Sequence, residues 1–440
     1  MGAPRLVFTS FLGAALLAGS LVLPSVGSGS ELLDLLRKKG VITEEEYREL
    51  KAEEEKERAK VAAEIQKAKG PFEVTYKDGF RIRKGKDFEL RFGVQVFNQL
   101  AVFPSDTAAD SSFRVRRGRV TFRGHVFRDF TYRLELDGTS DPVLDQDAYL
   151  GWERFGAFRV RVGQHKTRFG GEQTWSRYSL FFLERSMISD NLTEGASRGV
   201  FLYGDLLPQL SYEASVSNGT GRSGDDNSDK DYALRLIGRP FQETSWEKVL
   251  PIEVAANVAF GNQPFNARGG RTRLFLRDNR LQVFNVSTEG FRQRYGGDLW
   301  FNKDYKKGPL SATAEYIFER QEREGPRLGR DRADLIRRGF HVQAGYLLTG
   351  TRKKNGLEFV FKYEHIDMDD EEDDGGADEI AGQTVEVLGF GLNFWPIQEV
   401  RLSLDGFVFD IDRPLDAASE DPFRNGDTAW AVLSGFYFKF

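Results

Sequence analysis

The sequence contains no cysteine, and it has only 3 methionines and 4 histidines among 440 residues. The absence of cysteine excludes disulfide bonds, thiolate catalysis and covalent attachment of a c-type haem. Beyond its N-terminus, the chain has no run that approaches the roughly 18 apolar residues of a transmembrane helix. The formal net charge of −5 lacks the basic excess typical of nucleic-acid binding. We therefore expect no nucleic-acid partner and no cofactor, and any membrane crossing by the mature chain must use strands.

Phenylalanine and glycine are abundant, with 37 and 46 residues respectively. Many aromatic residues with few methionines are typical of a protein built from strands rather than from a helical core. The mean hydropathy of −0.47 and the 29% of charged residues, taken alone, indicate a soluble protein. The alternation of apolar and polar residues along the chain leads to a different interpretation.

The first residues have the pattern of an export signal. Arg5 supplies a positive start, an apolar or small stretch runs over 6–23, and Ser25 and Gly27 stand at the −3 and −1 positions of a cleavage site. We predict that residues 1–27 are a signal peptide. A retained membrane anchor is the alternative.

Residues 28–70 are predicted to be helical and differ from the rest of the chain. Thr43 with Glu46 three residues later forms a capping box that starts a second helix after Gly40, and Gly70-Pro71 ends it. This segment is either a coiled coil or a solvated spacer. Residues 71–86 are predicted to be a linker.

From residue 87 onward, apolar and polar residues alternate with a period of two. Phe130, Tyr132 and Leu134 fall on one face of a strand, for example, and Arg133 and Glu135 on the other. Sixteen such runs begin near residues 87, 112, 129, 145, 156, 196, 207, 231, 250, 291, 308, 336, 355, 382, 398 and 426. The even number is typical of single-chain outer-membrane barrels.

The connections between these runs alternate in length, apart from one intermediate link near 241–249. Short connections follow the even-numbered runs, and long connections follow the odd-numbered runs, around 164–195, 218–230, 261–290, 321–335, 367–381 and 411–425. Transmembrane barrels have short periplasmic turns and long external loops. We therefore predict an all-β, 16-stranded antiparallel transmembrane β-barrel over residues 87–440. Its N-terminal α-helical segment is predicted to lie in the periplasm and the barrel in the bacterial outer membrane.

The chain ends SGFYFKF, so Phe436, Phe438 and Phe440 share one face of the last strand. We predict that they face lipid and that this strand closes the barrel against the first. A terminal Phe after alternating aromatic residues resembles the C-terminal signature of bacterial outer-membrane proteins, which implies the barrel assembly machinery as a partner.

The early strands carry arginine on the face predicted to line the pore. These pore-lining residues are Arg117, Arg119, Arg123, Arg133, Arg159 and Arg161. The long loop at 164–195 follows directly and is predicted to fold inward as a constriction that carries His165, Lys166, Arg168, Arg177 and Arg185. Arginine binds phosphate or carboxylate oxygens in pairs, which favours an anion path. Inward carboxylates, Glu135 and Glu315 among them, leave weak selectivity and cation preference open as alternatives.

Four stretches carry a resemblance to a known family: SFRVRRGRVTFRG, VGQHKTRFGGEQTWS, SLFFLERS and ASRGVFLYG. Over roughly 87–205 the chain resembles the phosphate-selective porin O and P family. His165 stands where that family usually has an aromatic residue, and Arg168 where it usually has proline. The resemblance implies a homotrimeric, anion-favouring channel for small anionic solutes such as phosphate.

The run IDMDDEEDDGGADE over 366–379 is strongly acidic. It is predicted to be a solvated external loop. A weaker hypothesis assigns Asp367, Asp369, Asp370 and Glu371 to a divalent cation that bridges lipopolysaccharide phosphates in the outer membrane.

Three other classes are weighed against a porin. An outer-membrane enzyme is disfavoured because none of the four histidines stands in a recognisable nucleophile motif. A structural barrel that tethers the outer membrane through its periplasmic helices is compatible with a pore. A scaffold barrel in an electron-transfer complex is the third alternative.

Overall fold

The computed structural model divides the chain into two compact units, Met1–Glu73 and Val74–Phe440. The structure describes residues 37–40, 43–49, 51–52, 55–56, 60, 72–76, 79–104, 110–139, 144–219, 221, 228–266, 272–273, 282–284, 286–324, 327–328, 332–370, 382–412 and 428–440. The predicted signal peptide, 1–27, lies outside them. No helix among these residues is long and apolar enough to cross a membrane.

In the first unit, residues 44–49 are helical. Thr43 and Glu46 cap this helix reciprocally. The Glu46 carboxylate accepts a hydrogen bond from the Thr43 N–H at 2.8 Å, and the Glu46 N–H donates to the Thr43 hydroxyl at 3.3 Å. Most of the segment that would decide between a coiled coil and a spacer lies outside the described residues.

Strands make up most of the second unit. They are β1 Glu73–Tyr76, β2 Phe80–Lys84, β3 Phe88–Val102, β4 Ser112–Val126, β5 Phe130–Asp137, β6 Leu144–Trp152, β7 Arg159–Lys166, β8 Ala196–Leu207, β9 Leu210–Ser217, β10 Asp231–Gly238, β11 Ile252–Asn266, β12 Thr272–Arg273, β13 Gln282–Phe284, β14 Thr288–Phe301, β15 Leu310–Arg323, β16 Arg332–Thr351, β17 Lys354–Asp370, β18 Gln383–Ile397, β19 Val400–Asp412 and β20 Thr428–Lys439. Two short helices, α1 Gly171–Thr174 and α2 Met187–Asn191, lie between β7 and β8. Single 3-10 turns occupy Arg177–Ser179, Ser245–Lys248 and Lys303–Tyr305.

Among the described residues, sixteen strands form a closed antiparallel barrel: β3 to β11 and β14 to β20, with β20 paired to β3. This confirms the predicted fold class. β12 and β13 form a separate two-stranded sheet.

The barrel wall has an apolar outer face and a polar inner face. On β18, Leu388, Phe390 and Leu392 are exposed on the outside, whereas the residues between them face inward. The inner face buries ionisable groups, and Lys362 and Glu364 of β17 are both fully buried. Half of every strand therefore contacts the polar interior, which explains the low mean hydropathy.

The two ends of the barrel differ in their connections. The short-turn end has the links 127–129, 153–158, 208–209, 239–251, 302–309, 352–353 and 398–399, and the long-loop end has the rest. In the β4–β5 turn, Phe127 and Arg128 both adopt left-handed φ angles, 49° and 67°. Such a turn matches the twist of a tight hairpin.

The seam of the barrel uses both ends of this unit. One edge of β3 pairs with β20 from Gln95 to Val102, and with β2 from Phe88 to Phe92. Phe440 lies at the junction, where its N–H donates to the Val94 carbonyl at 3.0 Å and its carbonyl accepts from the Val94 N–H at 3.1 Å. The predicted linker 71–86 therefore contains β1 and β2, and β2 pairs with the part of the β3 edge that β20 does not cover.

Candidate functional site: the pore constriction

The connection between β7 and β8, residues 167–195, lies inside the barrel. Its apolar side chains are packed against the inner wall, and Phe182, Met187 and Ile188 have no exposed surface. The Phe182 ring lies 5.5 Å from that of Phe407 on β19. This constriction loop therefore fills part of the lumen as a small apolar core.

Carboxylates of the far wall hold the loop backbone. Glu315 of β15 accepts hydrogen bonds from the N–H groups of Gly171 and Glu172, at 2.7 and 3.1 Å. Asp405 of β19 accepts from Leu183 N–H at 2.8 Å, and Glu364 accepts from Met187 N–H. Each of these carboxylates thus binds the backbone of the loop.

Cationic and amide side chains of the wall hold the loop carbonyls. The guanidinium of Arg401, 1% exposed, donates to the carbonyls of Leu180 and Phe181, each at 2.8 Å. Asn393 donates to the Phe181 carbonyl at 2.7 Å, and Arg352 to the Ser179 carbonyl at 2.9 Å. The loop is consequently fixed at many points along its length.

Two buried glutamates of the loop stay ionised. Burial alone would raise the pKa of Glu172, but the charges of His341 and Lys362, with hydrogen bonds from Ser186 and Gln343, lower it to about 2. Burial would also raise the pKa of Glu184, but Arg116 and Arg177, at 3.0 and 2.6 Å, hold that pKa well below its usual range.

Most of the predicted pore-lining arginines pair with carboxylates of neighbouring strands. Arg119 lies 3.0 Å from Glu135 and 2.8 Å from Asp137. The other ion pairs are Arg133 with Glu135 and Asp147, Arg159 with Asp205, and Arg161 with Glu153. Arg123 is exposed nearer the short-turn end, opposite Arg133. The inner wall of β4 to β7 therefore alternates in charge.

Arg117 differs from these arginines. A β-bulge in β4 pairs Phe97 with Arg117 and Asn98 with Val115, so Arg116 and Arg117 both point inward. Arg117 is 4% exposed, and among the described residues no carboxylate lies within ion-pair distance of it. Three other arginines, Arg177, Arg119 and Arg116, lie close enough for their charges to act on it. We call these four residues the arginine cluster.

The predicted loop cations have different partners. Lys166 donates to the carbonyls of Thr174 and Trp175, at 3.2 and 2.6 Å, and Arg185 donates to the carbonyls of Glu172, Gln173 and Trp175. These two cations thus stabilise the conformation of the loop through hydrogen bonds to its own carbonyl groups. Arg168 pairs with Glu213 of β9 at 3.4 Å.

His165 links three charged groups at the start of the loop. Its Nδ1 lies 3.0 Å from an Asp147 oxygen, and its Nε2 lies 2.7 Å from Arg168 and 3.1 Å from Arg161. Since arginine is always a donor, Nε2 must accept and Nδ1–H must donate, which describes a neutral imidazole.

Several inward cations escaped the sequence reasoning. The bulge obscures the face on which Arg116 lies. Arg352 and Arg401 lie at or beside short turns, where alternation ends. Arg235 of β10 also points inward and pairs with Asp298 at 2.5 Å. A bulge has no local sequence signature here beyond the doubled arginine, so alternation alone could not assign the two residues to one face.

The first part of the acidic run is a strand, although the sequence predicted a loop. β17 continues to Asp370, and alternation places Asp367 and Asp369 on the outer face, where Asp367 pairs with Arg338 at 2.7 Å. Glu371 lies outside the described residues, and so does most of the run. Within the part of the chain that the structure describes, no group of three or more His, Asp or Glu side chains is arranged to hold a metal ion.

Comparison with known proteins agrees with this architecture. The chain is 24% identical over 409 residues to an uncharacterized protein of Aquifex aeolicus, which covers 86% of this chain and 90% of that protein. Among solved structures, OmpT of Vibrio cholerae aligns with a TM-score of 0.56 and 12% identity, covering 84% of this chain and 100% of that one. OprB of Pseudomonas putida aligns with a TM-score of 0.53 and 10% identity, covering 81% and 94%.

These structural likenesses concern the fold. The family profile described as phosphate-selective porin O and P matches residues 88–407, which is most of the barrel. The chain is therefore an outer-membrane porin and belongs to the phosphate-selective porin O and P family.

Proposed function

We propose that this porin passes small anions, phosphate among them, by diffusion through the part of the lumen that the constriction loop leaves open. The observation that carries the proposal is Arg117, a buried guanidinium that has three other arginines near it and no carboxylate within ion-pair distance among the described residues. A buried cation without a paired carboxylate is costly, and a passing anion supplies the missing charge.

The partners of the wall carboxylates support a positive field at the constriction. Glu315, Glu364 and Asp405 accept hydrogen bonds from the loop backbone, and Glu358 accepts from Arg352. Carboxylates that are engaged in this way contribute less to the attraction of cations than free ones. The arginine cluster has Glu184 between Arg116 and Arg177, whereas Arg117 has no such partner within the described part of the barrel.

Arg119, Arg133 and Arg161 extend the proposed path along neighbouring strands. Because each of these arginines is already paired with a carboxylate, each would bind an anion with moderate rather than high affinity. Conduction requires sites that an ion enters favourably and still leaves. The same pairing is the observation that favours weak, general selectivity as the alternative.

The test is the reversal potential of the purified protein in a planar bilayer under a KCl gradient. We expect a potential set mainly by chloride in the wild type, and a fall of about three- to tenfold in the anion-to-cation permeability ratio in Arg117→Gln, as for the loss of one poorly screened charge. Arg338→Gln is the matched control, because Arg338 lies on the outer face in an ion pair with Asp367. A potassium-set potential in the wild type would overturn anion preference, and equal values in wild type and Arg117→Gln would remove Arg117 from the path.

We also propose that the N-terminal helices lie in the periplasm after removal of residues 1–27. There they tether the outer membrane. We further propose that the barrel is a homotrimer inserted by the barrel assembly machinery through Phe436, Phe438 and Phe440, with lipopolysaccharide around its outer rim. Cross-linking of the purified protein, followed by mass measurement, tests the trimer.

A further inference from the structure

The pairing of β20 with β3 differs from every other strand pair of the barrel described above. All other neighbours around the barrel are also neighbours in its order along the chain, so a connecting segment limits how far one strand can slide past the next. β20 and β3 have no such connection. Strand number and shear together fix the tilt of the strands and the diameter of a barrel, and the shear is complete only when this last pair forms. The register of the seam therefore sets the width of the pore.

The alternation of apolar and polar faces cannot fix that register alone. Ala101 of β3 pairs with Leu433 of β20, and both are buried on the inner face. A slip of one residue would turn every side chain of a strand to the wrong face, but a slip of two residues keeps the faces as they are. Features other than alternation must therefore exclude slips of two residues.

β2 occupies the edge of β3 onto which β20 would slip. The pairing with β20 ends where Val94 and Phe440 exchange hydrogen bonds, and the pairing with β2 begins at Phe92, the partner of Phe80. A slip of two residues toward the short-turn end would place Phe440 opposite Phe92. That length of the β3 edge is already paired with β2, so the slip requires β2 to leave.

The junction between β20 and β2 leaves no space for adjustment. A Cβ atom at Gly93 would lie 2.7 Å from the carbonyl oxygen of Phe440, which is closer than real Cβ contacts allow. A Cβ atom at Gly79, the residue before β2, would lie 2.8 Å from the carbonyl oxygen of Phe92 and 3.4 Å from the carbonyl carbon of Phe440. The backbones of the three segments thus meet in direct contact, and β2 acts as a stop for β20.

A second feature distinguishes the register on the inner face of the seam. The ring of Phe97, 1% exposed, lies over Gly435 of β20. A Cβ atom at this glycine would be 2.8 Å from the ring and 2.7 Å from the side chain of Leu183 in the constriction loop. A slip of two residues would replace Gly435 beneath the ring by Leu433 in one direction or by Tyr437 in the other. Neither side chain fits a space that already excludes a methyl group.

We propose that β2 and the contact between Phe97 and Gly435 together form a register lock, which selects one shear for the barrel and so fixes the width of the pore. β2 excludes slips toward the short-turn end, and the Phe97 ring excludes slips of two residues in both directions. The register lock acts when the barrel closes and does not depend on which ions the pore passes. It gives a role in the channel to a hairpin that precedes the sixteen barrel strands in the chain.

The test cross-links pairs of introduced cysteines, which report the register directly because the chain has no cysteine of its own. Ala101→Cys with Leu433→Cys reports the observed register. Ala101→Cys with Ala431→Cys reports a slip of two residues toward the short-turn end, since the two positions are diagonal in the observed register and too far apart for a disulfide. The protein is folded in detergent under oxidising conditions. Mobility before heating identifies folded barrels, and mobility after heating identifies the cross-link.

Two changes remove the two parts of the register lock. Removal of residues 28–86 takes away β2, and removal of 28–70 is the matched control because it keeps that strand. Phe97→Ala removes the ring, and Leu100→Ala is its control, since Leu100 lies on the opposite face of β3. Each cysteine pair is introduced into each of these variants.

In the 28–70 deletion and in Leu100→Ala, we expect only the pair at positions 101 and 433 to cross-link. Removal of 28–86 together with Phe97→Ala should raise the ratio of the slipped to the observed cross-link about fivefold or more, as for the loss of cross-strand contacts. It should also add a second single-channel conductance level, because the diameter follows the shear. An unchanged ratio in folded barrels overturns the register lock. If the combined variant does not fold, the ratio is measured in each single change, and the absence of a rise in both overturns the proposal equally.

Discussion

Arg116 and Arg117 are adjacent in sequence and have opposite roles. The bulge turns both inward, but Arg116 pairs with Glu184 whereas Arg117 has no carboxylate within ion-pair distance among the described residues. One extra residue in the strand therefore separates a cation paired with the loop from the cation that we propose attracts anions. The charge balance at the constriction consequently depends on Glu184 as much as on the arginines.

The substitution Glu184→Gln is expected to increase anion preference. It removes the one negative charge shared by Arg116 and Arg177, so the anion-to-cation permeability ratio should rise about two- to fivefold. Reversal potentials at two salt concentrations measure the effect, which should shrink at the higher one. A fall in the ratio would show that Glu184 does not act on the permeating ion in this way.

Glu172 predicts a pH dependence. Its pKa is about 2 in the folded protein against an ordinary value of 4.5, so its stabilising contribution is fully present above pH 4.5 and is lost as the pH falls toward 2. The contribution is about 3 kcal/mol at neutral pH. Thermal unfolding in detergent from pH 7 to pH 2 should show a decline below pH 4.5 that is smaller in Glu172→Gln. Parallel declines in the two proteins would argue against this assignment.

At the scale of elements, the constriction loop is a distinct segment that hydrogen bonds attach to the inner wall of the barrel. Its backbone N–H groups are held by carboxylates and its carbonyls by Arg401, Asn393 and Arg352. Since loops positioned by a rigid scaffold often carry function, the pore radius depends on these attachments. Loss of one attachment should therefore change the channel current more than it changes the stability of the barrel.

Arg401→Gln tests this attachment. The shorter amide cannot reach the carbonyls of both Leu180 and Phe181, so we expect noisier single-channel currents with frequent substates. Heat-modifiable mobility should be retained, because the strand ladder does not depend on this side chain. Arg239→Gln is the control, since Arg239 pairs with Glu253 of β11 and donates to Ser211 of β9 rather than to the loop carbonyls. Quiet currents in Arg401→Gln would contradict the attachment role.

The strands could be predicted from sequence because alternation is a local property. Phe130, Tyr132 and Leu134 reveal their face within a few residues, and the alternating connection lengths supplied the topology. Three features could not be found in this way: β2 inside a presumed linker, the bulge at Arg117, and the hydrogen bonds of the loop. The contact between Gly171 and Glu315 joins residues 144 positions apart, so no local pattern reports it.

At the scale of the whole molecule, the division between the two units does not coincide with the start of the barrel. The division falls at Glu73, whereas the sixteen-stranded barrel begins at Phe88. The hairpin β1–β2 thus belongs with the pore although it precedes the barrel strands in the chain.

Two deletions distinguish these parts. Removal of 28–70 should leave the current and its selectivity unchanged, since every barrel contact named here lies beyond that segment. Removal of 28–86 also takes away β2, which leaves the β3 edge from Phe88 to Phe92 unpaired, so it should lower the unfolding temperature. Current recordings and circular dichroism on heating measure these effects. If the two deletions behaved alike, β2 would have no role in the wall.

The seam has a consequence for the order in which the molecule forms. Gln95 and Tyr437 meet across it although they are 342 positions apart. The length-dependent entropy of closing so large a loop is about 5 kcal/mol, more than for any hairpin in the barrel. Neighbouring strands can pair from nearby segments of the chain, but the seam cannot form until β20 is present. A chain that lacks β20 would leave the edge of β3 unpaired and vulnerable to proteolysis or aggregation, so closure of the barrel depends on two strands at opposite ends of its order along the chain.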